Sequence, residues 1–307
     1  MKIATMATGG IGGYLAVKLT QAGHQVATIA RGAHLDAIRD RGLTLETADG
    51  SETVTPWIAT DDPGQVGPVD AIIFGVKGDG LEAAAKACLP MIGPDTIVLP
   101  FLNGVEASDR LIAILPQANV GNGVAQVSTT IAGPGLIRQT GGSGQFLFAE
   151  RDSRPSARVD ALRAAINESG AAAPVTTDIV RDLWLKFIMF SAFSGVTAAA
   201  RCTAADIRTY PPLGQLFRDV MAETAAIGRA RAVDLPNDIV DKIWERVKKF
   251  PDSMRASTAL DLEKGLPLEI EWVSGAAVRL ARESGLPAPC NAAIYALLQP
   301  HRNGRPA

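Results

Sequence analysis

The chain has 307 residues and a formal net charge of −2, enough length for two domains with a sizeable core. The near-neutral balance offers no basic field for nucleic acid, and no lysine-rich helix face suits an anionic membrane. Three scattered cysteines, Cys88, Cys202 and Cys290, imply no disulfide framework, and His24, His34 and His301 lack any mutual ligand spacing, so no metal is expected. No uncharged apolar run reaches the roughly 18 residues of a membrane span. Lys18 interrupts the mildly apolar N-terminus, which reads better as a βα unit than as a signal peptide and leaves the cytoplasm as the default compartment.

The first unit is the most informative. Lys2 to Met6 reads as a strand, Ala7-Thr8-Gly9-Gly10-Ile11-Gly12-Gly13 as a turn, and Tyr14 to Gln21 as a helix closed by Gly23. Gln25 to Ala30 is a second strand, with Arg31 at its end. A strand followed by glycines at a helix N-terminus brings backbone amides close to a pyrophosphate. The residue ending the second strand meets the adenosine ribose, where arginine suits the 2′-phosphate of NADP and an acidic residue the 2′-hydroxyl of NAD. The G-x-G-x-x-G pattern falls on Ala7, Gly9 and Gly12, so an alanine takes the tight-turn position. A Rossmann-type unit for NADPH, with contacts along Ala7 to Gly12 and at Arg31, is therefore expected.

Further along, Asp70 to Val76 and Thr96 to Leu102 are continuous apolar runs of the kind buried on both faces of a parallel sheet, separated by a helix from Gly80 to Leu89. Asn122 to Thr130, Gly135 to Gln139 and Gln145 to Ala149 read as strands joined by hairpins. Pro155 to Gly170 is a helix, and Pro174 to Thr177 a last short strand. From Asp178 strand signals vanish. Helical patterns cover 178–200, 212–231, 236–248, 254–264, 268–284 and 291–298, and the Pro-rich tail after Leu298 is expected to fray. The fold class is thus α/β: a doubly wound domain over 1–177, then an all-helical domain over 178–307, with substrate between them. The apolar helices of the second half suit a core or a homodimer interface.

With these residues placed, the chain resembles the ketopantoate reductase (2-dehydropantoate 2-reductase) family over nearly its whole length. The opening strand, Gly9, Gly12, Gly23-His24 and Arg31 are similar to its cofactor half. The resemblance implies a cofactor contact for Lys77, a nicotinamide and substrate contact for Asn103 of Asn103-Gly104, and the catalytic lysine at Lys186 of Leu183-Trp184-Leu185-Lys186. It also puts the active-site glutamate at Glu269 of the Gly265 to Glu271 segment, and a carboxylate-binding serine at Ser257, with Ser253 and Thr258 as alternatives. The implied activity is NADPH-dependent reduction of 2-dehydropantoate to pantoate, a step of pantothenate biosynthesis.

The chemistry asks for such residues. Hydride addition to a 2-keto acid builds negative charge on the carbonyl oxygen, and a lysine can protonate it if desolvation brings its pKa near the working pH. Asn103 can donate and accept at once, and Glu269 can orient Lys186 or hydrogen-bond the substrate hydroxyl. One departure concerns the lining. Where the family typically has asparagines four and eight residues beyond the lysine, this chain has Phe190 and Ser194. A lining changed in this way makes a different, more apolar 2-keto acid, or an imine, the alternative to ketopantoate. A non-catalytic NADPH-binding sensor is the reading from another class; Lys186 and Glu269 together favour an enzyme.

Overall fold

The structure, a computed structural model, describes residues 1–305. It falls into two compact units, one of residues 1–102 and 107–180, the other of residues 103–106 and 181 onward. Each has its own core.

In the first unit a five-stranded parallel sheet has the order β5-β2-β1-β6-β7. Its strands and helices run β1 (Lys2–Met6), α1 (Gly10–Gln21), β2 (Gln25–Ile29), α2 (Gly32–Arg41), then, after a hairpin of β3 (Leu43–Thr47) and β4 (Gly50–Val54), β5 (Ile58–Thr60), β6 (Val69–Phe74), α3 (Leu81–Ala87) and β7 (Ile92–Pro100). This is the expected doubly wound unit. The continuous apolar runs are strands because both faces are covered: Ile3, Ala71, Ile72, Ile73, Ile97 and Leu99 are fully buried.

The chain continues through the short α4 (Ala107–Leu111) into β8 (Gly121–Gly133) and β9 (Leu136–Glu150), which join the β3–β4 hairpin in a second, four-stranded sheet ordered β4-β3-β9-β8. Here the structure corrects the expectation of three separate strands. Gly141 to Gly144 is no loop but an irregular stretch inside one long strand, with Gly142 and Gly144 at φ +81° and +69° and register shifts opposite Gln126–Val127 and Ser128–Thr129. Glycines there form bulges that keep the ladder going. The predicted strand at Pro174–Thr177 does not form; a single bridge joins Gln145 to Ala172, and Pro174 has no N–H to extend it. α5 (Ala157–Glu168) packs on this half, where Tyr14, Phe101, Phe146 and Phe148 pack ring against ring.

The second unit is helical throughout. It comprises most of α6 (Ile179–Ala199), then α7 (Ala204–Thr209), α8 (Pro211–Ala230), α9 (Ile239–Val247), α10 (Ser257–Lys264), α11 (Ser274–Glu283) and α12 (Pro289–Leu298). Phe187, Phe217, Val220, Met221 and Ala276 fill its core. The helix expected over 268–284 is broken: Ile270–Trp272 is a single 3₁₀ turn, and Val273, at φ −117° and ψ −91°, resets the chain before α11. The tail is better held than expected. The Leu268 N–H donates to the Arg302 carbonyl and the Arg305 N–H to the Gly265 carbonyl. Residues 306 and 307, at the end of that expected tail and of the expected second domain, lie outside the described residues. Among the described residues no helix is long and apolar enough to cross a membrane.

Candidate active site

The glycine segment lies between β1 and α1, and α1 begins earlier than expected, at Gly10. Ala7, at the tight-turn position of the motif, has φ +61°. A methyl in that left-handed region is strained by about 1 kcal/mol. Ala7→Gly is accordingly expected to stabilise the fold by up to about 1 kcal/mol, and Ala7→Val to destabilise it by about 2 kcal/mol, in chemical denaturation. Equal denaturation midpoints for all three proteins would refute the strain.

Gly12 is required by close packing, since a Cβ there would sit 2.5 Å from the Ala7 carbonyl oxygen. Gly9 is different: a Cβ there would meet only the Gly75 carbonyl oxygen, at 3.7 Å, and otherwise open space. Nothing in the protein demands a glycine at that spot, but an approaching phosphate would. The first-turn amides of α1 have no intrahelical acceptor, and among the described residues no side chain caps them. Thr129 on β8 adds an orphan: its Oγ1 is buried without a hydrogen-bond partner among the described residues, 2.6 Å from where a Gly10 Cβ would lie. Amides, orphan hydroxyl and open Gly9 together fit a pyrophosphate.

Thr8 is a strut of this loop. Its N–H donates to the Ile29 carbonyl at 2.8 Å, its hydroxyl donates to the same oxygen, and its carbonyl accepts from His34. The Gly135 N–H donates to His34 Nδ1 at 3.0 Å, so Nε2 carries the proton and donates to Thr8 at 2.9 Å. His34 thus ties the glycine loop to the β8–β9 turn, a role its lack of metal-ligand spacing did not suggest. Ile11 is half-buried against the core. Arg31 is exposed at the end of β2, extended at φ −141°, as the N-cap residue of α2, and forms no ion pair among the described residues. Lys77 is exposed just beyond β6, at the carboxyl end of the sheet where ligands of doubly wound folds bind.

In the helical unit, Lys186 stands on α6 among apolar neighbours, with its Nζ 6.0 Å from the Phe190 ring centroid one turn on. Desolvation pulls its ammonium from 10.5 down to about 8, against the opposing pull of the Glu269 carboxylate. Glu269 precedes the 3₁₀ turn, and Asn103 Nδ2 donates to its Oε2 at a long 3.4 Å. Lysine, carboxylate and amide, 83 and 166 residues from Glu269, thus converge in one unit. Two of the expected substrate contacts are placed differently from one another. Ser194 is buried and shares a 2.6 Å hydrogen bond with Thr258, in which one hydroxyl donates to the other. Ser257 is exposed at the first turn of α10, as is Ser253 before that helix. Sequence reasoning missed Thr129, His34 and Arg279, the last of which bridges Glu106 and Glu271. No local pattern marks these three; only neighbours distant in sequence do.

The family model described as "Ketopantoate reductase PanE/ApbA" matches residues 3–153, and its C-terminal counterpart matches residues 178–302. The 2-dehydropantoate 2-reductase of Mesorhizobium japonicum is 32% identical over 323 residues, covering 97% of either chain. A crystal structure of a PanE/ApbA family ketopantoate reductase from Ralstonia eutropha JMP134 superposes with a TM-score of 0.89 at 32% identity, covering 98% of both chains. A structure of D-mandelate dehydrogenase with NADH and anilino(oxo)acetate shares the fold, with a TM-score of 0.88 at 22% identity and 98% coverage of both. With both halves matched in order and at full length, the protein belongs to the ketopantoate reductase PanE/ApbA family.

Proposed function

We propose that this oxidoreductase reduces a small branched 2-keto acid with NADPH, 2-dehydropantoate being the named substrate and pantoate, a precursor of pantothenate, the product. In this reading residues 1–177 bind NADP and residues 178–307 carry the substrate and the proton donor. The observation that carries it is the grouping of Lys186 with Glu269 and Asn103, with the ammonium brought to about 8. A lysine brought to about 8 stays mostly charged at neutral pH yet gives up its proton far more readily than an ordinary lysine.

When bound, the reduced nicotinamide supplies hydride to the carbonyl carbon. Lys186 meets the carbonyl oxygen and protonates it as charge develops there. Glu269 keeps enough of the lysine charged to serve as the acid, opposing the desolvation around it. Asn103 uses one amide hydrogen on Glu269 and keeps its other hydrogen and its oxygen for ligands. Ser257, exposed at the start of α10, offers its hydroxyl to the substrate carboxylate. At the other end, Arg31 and Lys77 supply charge for cofactor phosphates, while Gly9, Gly10, Ile11 and Gly12 present the backbone.

Phe190 favours a second reading, in which the physiological substrate is a more apolar 2-keto acid. Its ring lies one helical turn from Lys186, and Ser194, a further turn on, is spent on Thr258. At Phe190 that face of α6 therefore offers no polar group to a substrate hydroxyl. A panel of 2-keto acids, followed by NADPH consumption, separates the two readings. If the lining decides, Phe190→Asn should raise the kcat/KM ratio of ketopantoate over 2-ketoisovalerate by about 10-fold or more. An unchanged ratio in a folded variant would remove Phe190 from the specificity argument, and no turnover of any 2-keto acid by the wild type would overturn the reductase.

A further inference from the structure

We infer that Arg279 is a positioning residue of this centre: through Glu106 and Glu271 it holds Asn103 against Glu269. The inference rests on the reading of Lys186, Glu269 and Asn103 as the reacting centre. Asn103 and Glu269 are 166 residues apart, and their contact is a single long hydrogen bond of 3.4 Å. Such a contact depends on how two backbone segments are registered. Those segments are Asn103 to Glu106, which the fold assigns to the helical unit although the preceding strand belongs to the other, and the turn from Glu269 to Trp272.

Two features register them. Gly104 has φ +89° and lies so tightly on the Trp272 carbonyl oxygen that a Cβ could not be accommodated. The second is Arg279 on α11. Its Nη2 donates to Glu106 Oε2 at 2.6 Å and to the Glu271 backbone carbonyl at 2.9 Å, and its Nη1 lies 3.6 Å from the Glu271 carboxylate. Glu106 is three residues beyond Asn103 and Glu271 two beyond Glu269, so one planar guanidinium spans both segments. Glu271 is held from its other side by the Tyr295 hydroxyl at 2.7 Å and by Arg302 at 3.2 Å. With side-chain exposures of 29% and 16%, the Arg279–Glu106 pair is shielded far more than an ordinary surface ion pair.

The test compares Arg279→Met, Glu106→Gln, their double variant and Arg279→Lys. Four quantities are read: kcat, KM for the 2-keto acid, the Kd of NADPH from its fluorescence, and the melting temperature. A clamp predicts kcat lowered by about 10–100-fold in either single variant, with the NADPH Kd within about two-fold of wild type. The double variant should be no slower than Arg279→Met, because the pair acts as a unit. Arg279→Lys should recover part of the loss, since its ammonium restores the Glu106 pair but lacks the second arm. A merely structural pair lowers the melting temperature while folded enzyme keeps its kcat. Folded variants with kcat within about two-fold of wild type, or losses that multiply in the double variant, overturn the inference. Should Arg279→Met fail to fold, Glu106→Gln decides alone. The side-chain amide resonances of Asn103 supply a readout free of turnover: they should move in Glu106→Gln even if the wild type reduces none of the keto acids tried, and unmoved resonances overturn the clamp.

Discussion

Lys186→Met should lower turnover by about 10²–10⁴-fold and, at neutral pH, make the protein more stable rather than less. Both effects come from one observation, the ammonium drawn down from 10.5 to about 8 by desolvation. The folded state disfavours the charged lysine, so burial of the charge costs stability wherever the unfolded chain would be protonated. That cost, up to about 3 kcal/mol, is complete below pH 8 and disappears as pH rises from about 8 to 10.5. Methionine never incurs it, so the variant's advantage should be full at pH 7 and fade at alkaline pH. Activity follows the same group in the opposite sense. With Lys186 as the proposed proton donor, reduction should fall as pH rises through about 8, whereas oxidation of the 2-hydroxy acid, which returns that proton, should rise over that range. Denaturant melts at two pH values and pH–rate profiles in both directions check this. A variant that is inactive and also less stable at pH 7 would mean that Lys186 serves the fold, which the desolvated site argues against.

The parts of the molecule that were legible in the sequence are those whose physics is local. β1, α1 and β2 are readable because apolar strands, glycines and a helical stripe follow one another within 31 residues, and Ala7, at the tight-turn position of the motif, has φ +61°. α1 starts earlier than its residue propensities predict, for a physical reason. Gly10, Gly12 and Gly13 are poor helix formers, yet all lie in the helix, where Thr129, the Ala7 carbonyl and Ile137 leave no space for a Cβ. Tertiary approach overrides propensity there. The same holds for Gly142 and Gly144, which are turn residues by composition but bulges inside β9 because β8 pairs along its whole length. At the candidate site, Lys186 and Glu269 were found through the resemblance, while the arginine that registers their surroundings was not. Arg279 reads as one more charged residue on an amphipathic helix until Glu106, 173 residues earlier, is brought against it. Glu269 and Glu271 alternate in an apolar stretch, and spacing alone could not say that the first approaches Lys186 and the second anchors Arg279.

On the proposed use of NADPH, Arg31→Ala should erase a preference for NADPH over NADH by weakening only the phosphorylated cofactor. In the fold Arg31 stands at the end of β2 with its side chain exposed, immediately before the first turn of α2, and no carboxylate among the described residues pairs with it. A charge kept free at that point of a doubly wound sheet is available for the 2′-phosphate. One charge-assisted contact is worth about 1.5–3 kcal/mol, so the NADPH KM should rise by roughly 10–100-fold while that for NADH stays within about two-fold. An exposed charge is screened by salt, so the wild-type preference should shrink as ionic strength rises and the variant's should not. Arg31→Glu should go further and favour NADH, since a carboxylate repels the phosphate and accepts from the ribose hydroxyl. The glycine loop is common to both cofactors and should be indifferent to these changes: Thr129→Val, removing the orphan hydroxyl beside Gly10, should weaken NADPH and NADH alike. An Arg31→Ala enzyme that still binds NADPH as tightly as wild type would take the 2′-phosphate away from this end of β2 and leave Lys77 as the cation to change next.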